Sequence, residues 1–184
     1  MSDNVKKEIL AIPGSTRQQS TNHRLIKAMI KLLPADLTVT IFDKLAGLPH
    51  FNPDNNDDNI AKEVADFRAL LNRSAGVIIC TPEYAHGVPG TLKNAIDWTV
   101  STGEFSQKPT ILITASTDGT YGHQAMLETL RVLEAKNIDQ LQLLVKFAQT
   151  KINNEQVITD EKTLNAIKEI ILRFHKTIYD IATS

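Results

Sequence analysis

Apolar and polar positions along the chain change rhythm repeatedly, and each change marks an element. An unbroken apolar run from Ile9 to Ile12 ends at Pro13-Gly14, and the spacing of Leu25, Met29 and Leu32 or Leu33 predicts a helix from about Thr21 to Leu33. Leu37 to Phe42 alternates as a second strand. Ala46 to Asn59, with Pro49, Pro53 and several Asn and Asp, is a long polar loop, and Val64, Phe67, Leu70 and Leu71 then share one side of a helix. Val77 to Cys80 is again unbroken, the pattern of a strand buried on both faces of a parallel sheet. Pro89 suits the first turn of a helix reaching Val100, with Leu92, Ala95, Ile96 and Thr99 on one face. Thr110 to Ala115 and Leu141 to Val145 read as the fourth and fifth strands, separated by a helix carrying Leu127, Leu130 and Leu133. Asn153-Asn154-Glu155 reads as a turn. Thr159 then caps a last helix whose Leu164, Ile167, Ile171, Phe174, Ile178 and Ile181 form a continuous stripe.

Five strands alternating with five helices imply a parallel sheet covered on both faces, because every parallel crossover needs a helix. Of the two common doubly wound orders, 2-1-3-4-5 suits five strands. Its switch point lies between strands 1 and 3, so the loops after strands 1, 3 and 4 converge on one crevice at the carboxyl ends of the strands. With no repeat, linker or low-complexity segment, residues 1–184 read as one domain.

Composition narrows the function. A hydrophobic share of 42% over 184 residues supports one sizeable core, and a net charge of -1 gives no ground for a nucleic-acid or membrane-surface partner. Cys80 is the single cysteine, which excludes an internal disulfide and a cysteine-only metal cluster. The first apolar run is too short for a signal-peptide core or a membrane span, so a cytoplasmic location is expected.

The loop after strand 1, Pro13-Gly14-Ser15-Thr16-Arg17-Gln18-Gln19-Ser20-Thr21-Asn22, combines four hydroxyls, a guanidinium and the free N–H groups of a helix start. Together these are the donors that surround a phosphate. The loop lacks the Gly-Lys-Ser/Thr ending of a Walker loop and the Gly-x-Gly-x-x-Gly of a dinucleotide loop. Its plainer reading is a helix N-cap, Ser20 or Thr21, preceded by an exposed arginine. After strand 3, Pro82 ends the ladder, and Glu83-Tyr84-Ala85-His86-Gly87 holds a carboxylate, an aromatic ring, an imidazole and a flexible residue at the strand's carboxyl end.

Two motifs, Gly14-Ser15-x-Arg17-x-x-Ser20-x-Asn22 and Pro82-Glu83-Tyr84-x-x-Gly87-x-Pro89-Gly90-x-Leu92-Lys93-Asn94-Ala95-Ile96-Asp97-Trp98, carry a resemblance. The chain resembles the NADPH-dependent FMN reductase family of flavodoxin-like quinone, chromate and azo reductases, over roughly residues 8 to 150. The resemblance implies that Ser15, Arg17, Ser20 and Asn22 hold the FMN phosphate. It further implies that Pro82, Glu83, Tyr84, His86 and Gly87 line the isoalloxazine, with Ser116, Gly119 and Gly122 in the third flavin loop. It implies a homodimer or homotetramer, and a reaction in which NADPH or NADH reduces FMN and a quinone-like, azo, metal-oxyanion or free-flavin acceptor is then reduced. Many members have Asn-Tyr-Ser where this chain has Ala85-His86-Gly87, so its contacts to the ring differ there.

No catalytic side chain and no metal site are assigned. Cys80 is read as an inert buried strand residue, since His86 stands where a Cys-x5-Arg phosphatase loop needs arginine. His86 is a ring contact or a proton donor to reduced substrate, the first being preferred. Gly87 and Gly119 are expected to let backbone approach the ring closely. Asp54, Asp57 and Asp58 lack the spacing of a calcium loop, and Trp98 and Phe67 read as core or subunit interface. A nonenzymatic flavodoxin-type electron carrier and a phosphate-ester hydrolase are the competing function classes. A charge of -1 argues against the usually acidic carrier, and the missing Cys-x5-Arg and metal set argue against the hydrolase.

Overall fold

The computed structural model describes residues 6–55 and 60–180. Five strands, β1 (Lys7–Pro13), β2 (Leu37–Ile41), β3 (Gly76–Thr81), β4 (Thr110–Ser116) and β5 (Gln142–Lys146), pair in parallel in the order β2-β1-β3-β4-β5. Among the described residues the α-helices are α1 (Thr21–Ile30), α2 (Lys62–Arg73), α3 (Gly90–Asp97), α4 (Thr120–Val132) and α5 (Glu161–Asp180). This is the flavodoxin-like arrangement read from the sequence. Asp57, Asp58 and Ile181 lie outside the described residues.

Side chains alternate across the pleat, so each strand feeds two cores. Ile9, Ala11, Ile78, Cys80, Ile111 and Ile113 pack beneath α1 and α5. Leu10, Ile12, Val77, Ile79 and Leu112 pack beneath α2, α3 and α4, with Phe67 and Trp98 fully buried in the same layer. Trp98 and Phe67 are therefore core residues. Every residue of β3 is buried, which explains its unbroken apolar run. Among the described residues no helix is long and apolar enough to cross a membrane.

Several element ends differ from the sequence reading, each for a local reason. Helix α1 stops at Ile30, ahead of Leu33, because Pro34 disfavours helix at the residue before it. Pro89 is the N-cap of α3, at ψ 133°, and the helix ends at Asp97. The last helix is capped by Asp160 in place of Thr159: its carboxylate accepts from the Thr163 N–H at 2.9 Å and the Thr163 hydroxyl at 2.6 Å. In the α5 stripe Ile167, Ile171, Phe174 and Ile178 are buried, while Leu164 is half-buried.

The second half of the long motif braces a loop. Asn94 accepts from the Phe51 N–H at 2.8 Å and donates to the Pro49 carbonyl at 2.9 Å, which also accepts from the Trp98 indole at 2.9 Å. Helix α3 thereby holds the segment that follows β2.

Candidate functional site

The β1 loop folds around its own hydroxyls. The Gly14 N–H donates to the Cys80 carbonyl at 2.8 Å, which pins the loop to β3. Ser15 is buried and accepts from the Arg17 N–H at 3.3 Å. Ser20 caps α1, accepting from the His23 N–H at 3.2 Å, and its hydroxyl also meets His23 Nδ1 at 3.0 Å. These bonds engage the Ser20 side chain, and the Thr21 and Asn22 N–H groups, at the start of the helix, have no intrahelical acceptors. Burial is the main cause, with Lys27 second, that holds His23 below its ordinary pKa and therefore neutral at pH 7.

Asn22 has a joining role. Its amide donates to the Ala115 carbonyl at 3.4 Å and its oxygen accepts from the Cys80 thiol at 3.2 Å, so the start of α1 is clipped to β3 and β4. Burial pushes the Cys80 thiol far above its usual pKa, which keeps it protonated and inert.

The β3 loop makes a two-residue turn in which Tyr84 and Gly87 exchange backbone hydrogen bonds, both 2.9 Å. Its corner residues, Ala85 and His86, have φ of 49° and 60°. That left-handed conformation ordinarily favours Gly, Asn or Asp. Gly87 itself is relaxed: a Cβ there would meet nothing nearer than the Tyr84 carbonyl at 3.7 Å. The expected conformational demand thus falls on Ala85 and His86, because the paired bonds between Tyr84 and Gly87 make those two the corner. The His86 ring stacks on Tyr121 with centroids 4.2 Å apart.

Helix α4 opens directly behind this turn. Gly119, its N-cap, has φ of 87°, and Gly122 lies inside the first helical turn. The Gly122 N–H donates to the Glu83 carboxylate at 2.6 Å, so Glu83 caps α4 from a different loop. A Cβ on Gly122 would lie 2.9 Å from the Gly87 carbonyl oxygen and 3.1 Å from Glu83 Cγ. The next residue, His123, bridges Thr114 at 2.9 Å and Gln142 at 2.6 Å. Its Nε2 donates to the amide oxygen, and its Nδ1 accepts from the threonine hydroxyl. Burial lowers the His123 pKa.

These loops enclose an open crevice of about 400 Å³. Of the residues singled out by sequence, Ser15, Arg17, Ser20, Asn22, Pro82, Glu83, Tyr84 and Ser116 form its walls. His86, Gly87, Gly119 and Gly122 stand off the wall, in the turn beyond Tyr84 and at the head of α4. Gln19 and Thr21 of the β1 loop line it too, as the reading of that loop expected, whereas sequence reasoning missed Arg24 and the segment Phe147 to Thr150. Two signals were available. Strand order sets the β5 loop beside the β4 loop, where Phe147 N–H donates to the Thr117 carbonyl at 3.0 Å. Arg24 lies one turn beyond Thr21, and helical side chains lean toward the N-terminus.

Electrostatically the crevice is unbalanced. Among the described residues no carboxylate lies within ion-pair distance of Arg17 or Arg24. Glu83, the one acid on the wall, is engaged by α4. Among the described residues no cluster of three His, Cys, Asp or Glu suits a metal ion.

The β1, β3 and β4 loops of this flavodoxin-like sheet enclose a cationic, hydroxyl-lined crevice at the switch point, a donor set suited to an anionic ligand. The sequence profile of the NADPH-dependent FMN reductases matches residues 8–150, and the chain belongs to that family. It is an oxidoreductase of the flavin-dependent kind, with FMN and a reduced nicotinamide as cofactors. It is 30% identical over 174 residues to an NAD(P)H-dependent FMN reductase of Pseudomonas aeruginosa, covering 92% of each chain. It is 26% identical over 181 residues to a quinone reductase of Escherichia coli, covering 94% of this chain and 96% of that one. The solved structure of the NAD(P)H:(acceptor) oxidoreductase FerB of Paracoccus denitrificans superposes with a TM-score of 0.75 at 23% identity, covering 95% of this chain and 98% of that one.

Proposed function

We propose that this chain carries electrons from NADPH or NADH, through FMN held in the crevice, to a small quinone-like, azo, metal-oxyanion or free-flavin acceptor. The supporting observation is the crevice itself, polar, cationic and free of competing carboxylates, at the switch point of a chain of this family. A phosphate-bearing flavin suits that donor set. Ser15, Arg17 and the first amides of α1 hold the phosphate, while Ser20 and Asn22 shape the cradle through the bonds that engage their side chains. Pro82, Glu83 and Tyr84 line the ring on one side, with His86 and Gly87 in the turn beyond, and Ser116 lines the β4 side, with Gly119 and Gly122 behind it at the head of α4. FMN, when bound, supplies two-electron chemistry between nicotinamide and acceptor.

The chain's own residues bind and position. Glu83 is committed to α4, so it serves as a structural cap and leaves proton transfer to others. His86, stacked on Tyr121, extends an aromatic shelf beside the crevice. A quinone acceptor is supported by the Escherichia coli relative. Exposed Tyr84, Tyr121 and Phe147 give a second subunit apolar surface to cover, in keeping with a homodimer or homotetramer. A cytoplasmic setting, where reduced nicotinamides are supplied, suits this role.

The test is reconstitution and turnover. Apoprotein mixed with FMN should retain it through gel filtration, turn yellow and consume NAD(P)H rapidly when a benzoquinone is added. Initial rates at several quinone concentrations should give parallel double-reciprocal lines, because one crevice serves donor and acceptor in turn. Failure to retain FMN refutes the cofactor assignment, and slow turnover with every acceptor class favours the electron carrier. Intersecting lines refute the shared crevice.

A further inference from the structure

The crevice holds a cation that the family motif does not contain. Arg24 lies on α1 three residues after Thr21, inside the half of the helix where the backbone already presents positive charge, and the first turn of α1 carries no acidic residue to offset it. A cation near a helix N-terminus is favoured only when an anion sits nearby. Its guanidinium is held from two sides. One terminal nitrogen donates to Asn154 Oδ1 at 2.7 Å and the other to Thr21 Oγ1 at 3.2 Å. Its Nε is enclosed within the protein, without a partner among the described residues. Each terminal nitrogen keeps a second N–H beyond these bonds, on a side chain that lines the crevice.

Arg24 and Arg17 stand on the same crevice wall, separated by the Ser20 cap and the free amides of Thr21 and Asn22. Neither has a carboxylate partner among the described residues. Two guanidiniums and a helix N-terminus match the two charges of a phosphomonoester dianion. We propose that Arg24 is a second phosphate-binding residue, braced by Asn154, and that with Arg17 it makes the crevice select flavins bearing a terminal phosphomonoester. This rests on the flavin reading above and adds to it a residue outside the motif. The brace also ties the turn at 153–156, which follows β5, to the far end of the ligand.

The experiment compares FMN with riboflavin, which has the same ring and ribityl chain and no phosphate. Dissociation constants come from quenching of flavin fluorescence by wild-type apoprotein and by Arg24→Gln, Arg17→Gln and Asn154→Ala, with circular dichroism melts to confirm folding. Arg24→Gln should weaken FMN by roughly ten- to a hundredfold, the usual size of a lost charge-assisted bond, and leave riboflavin within about twofold. Asn154→Ala keeps the charge and should shift FMN by no more than about threefold. Arg24→Met, which retains the aliphatic stem, replaces glutamine if that variant does not fold. An Arg24 substitution that weakens both flavins equally, or neither, overturns the proposal while leaving the flavin reading intact. A wild-type apoprotein that binds neither flavin overturns both.

Discussion

Gly122→Ala isolates the contact that joins the β3 loop to α4. The added Cβ would sit 2.9 Å from the Gly87 carbonyl oxygen and 3.2 Å from Glu83 Cβ, both on the same loop. An ordinary C···O approach is about 3.3 Å or more, so residues 83 to 87 must move away by several tenths of an ångström. That movement stretches the 2.6 Å bond from the Gly122 N–H to the Glu83 carboxylate. Its loss costs about 1.5–3 kcal/mol, and the better helix propensity of alanine returns up to about 1 kcal/mol. The net destabilisation is roughly 0.5–3 kcal/mol, a fall in melting temperature of about 1–12 °C for a chain of this size. Two further variants calibrate the result. Gly90→Ala, whose Cβ meets nothing within 4 Å, and Gly87→Ala, with its nearest atom at 3.7 Å, should melt close to wild type. Differential scanning calorimetry of the four apoproteins measures this directly. A Gly122→Ala protein that melts at or above wild type would show that Glu83 and Gly122 do not hold the two loops together.

Two other outcomes follow from burial. Native protein should leave Cys80 unmodified by Ellman's reagent at pH 8, and denatured protein should react fully, because burial keeps the thiol protonated; rapid modification of the native state would contradict the Asn22 clip. Burial also lowers the pKa of His123 and His23, so the unfolded chain binds protons near the ordinary imidazole value of 6.5 that the native chain refuses. Stability should therefore fall as the pH drops below that value, by up to about 1.4 kcal/mol per pH unit for each histidine. Urea midpoints between pH 8 and 5 measure the slope, and His123→Gln should flatten it; an unchanged slope would mean that His123 is protonated in the native state.

The sheet was legible because parallel strands buried on both faces leave continuous apolar runs, as in Val77 to Cys80, and because Pro82 and the β1 loop punctuate the switch point so clearly. Helix ends were harder to read. Thr159 and Asp160 are both good caps, and only the position of Thr163 selects the aspartate. The glycine at 87 suggested special backbone geometry there, whereas the turn closes between Tyr84 and Gly87 and shifts that geometry to Ala85 and His86. The crevice was legible in the loops that carry motifs. Arg24 and Phe147 stayed hidden, one because its helical lean is a matter of rotamer, the other because β5 becomes a neighbour of β4 only once the sheet is assembled.

The Ala85-His86 corner has a consequence for how such a protein diverges. Both side chains are exposed, and what the fold asks of these positions is a backbone angle, at a cost of order 1–2 kcal/mol for each residue other than Gly or Asn. Buried neighbours such as Thr81 and Leu92 are constrained by volume on every side, so a change there disturbs the sheet. At the corner, size, charge and ring character can change without repacking the core, at the cost only of the His86 stack on Tyr121. Descendants of this chain can therefore exchange residues 85 and 86 and alter the surface beside the crevice, while the loop keeps its path through the paired bonds of Tyr84 and Gly87. The surface at this corner can drift faster than the fold that supports it.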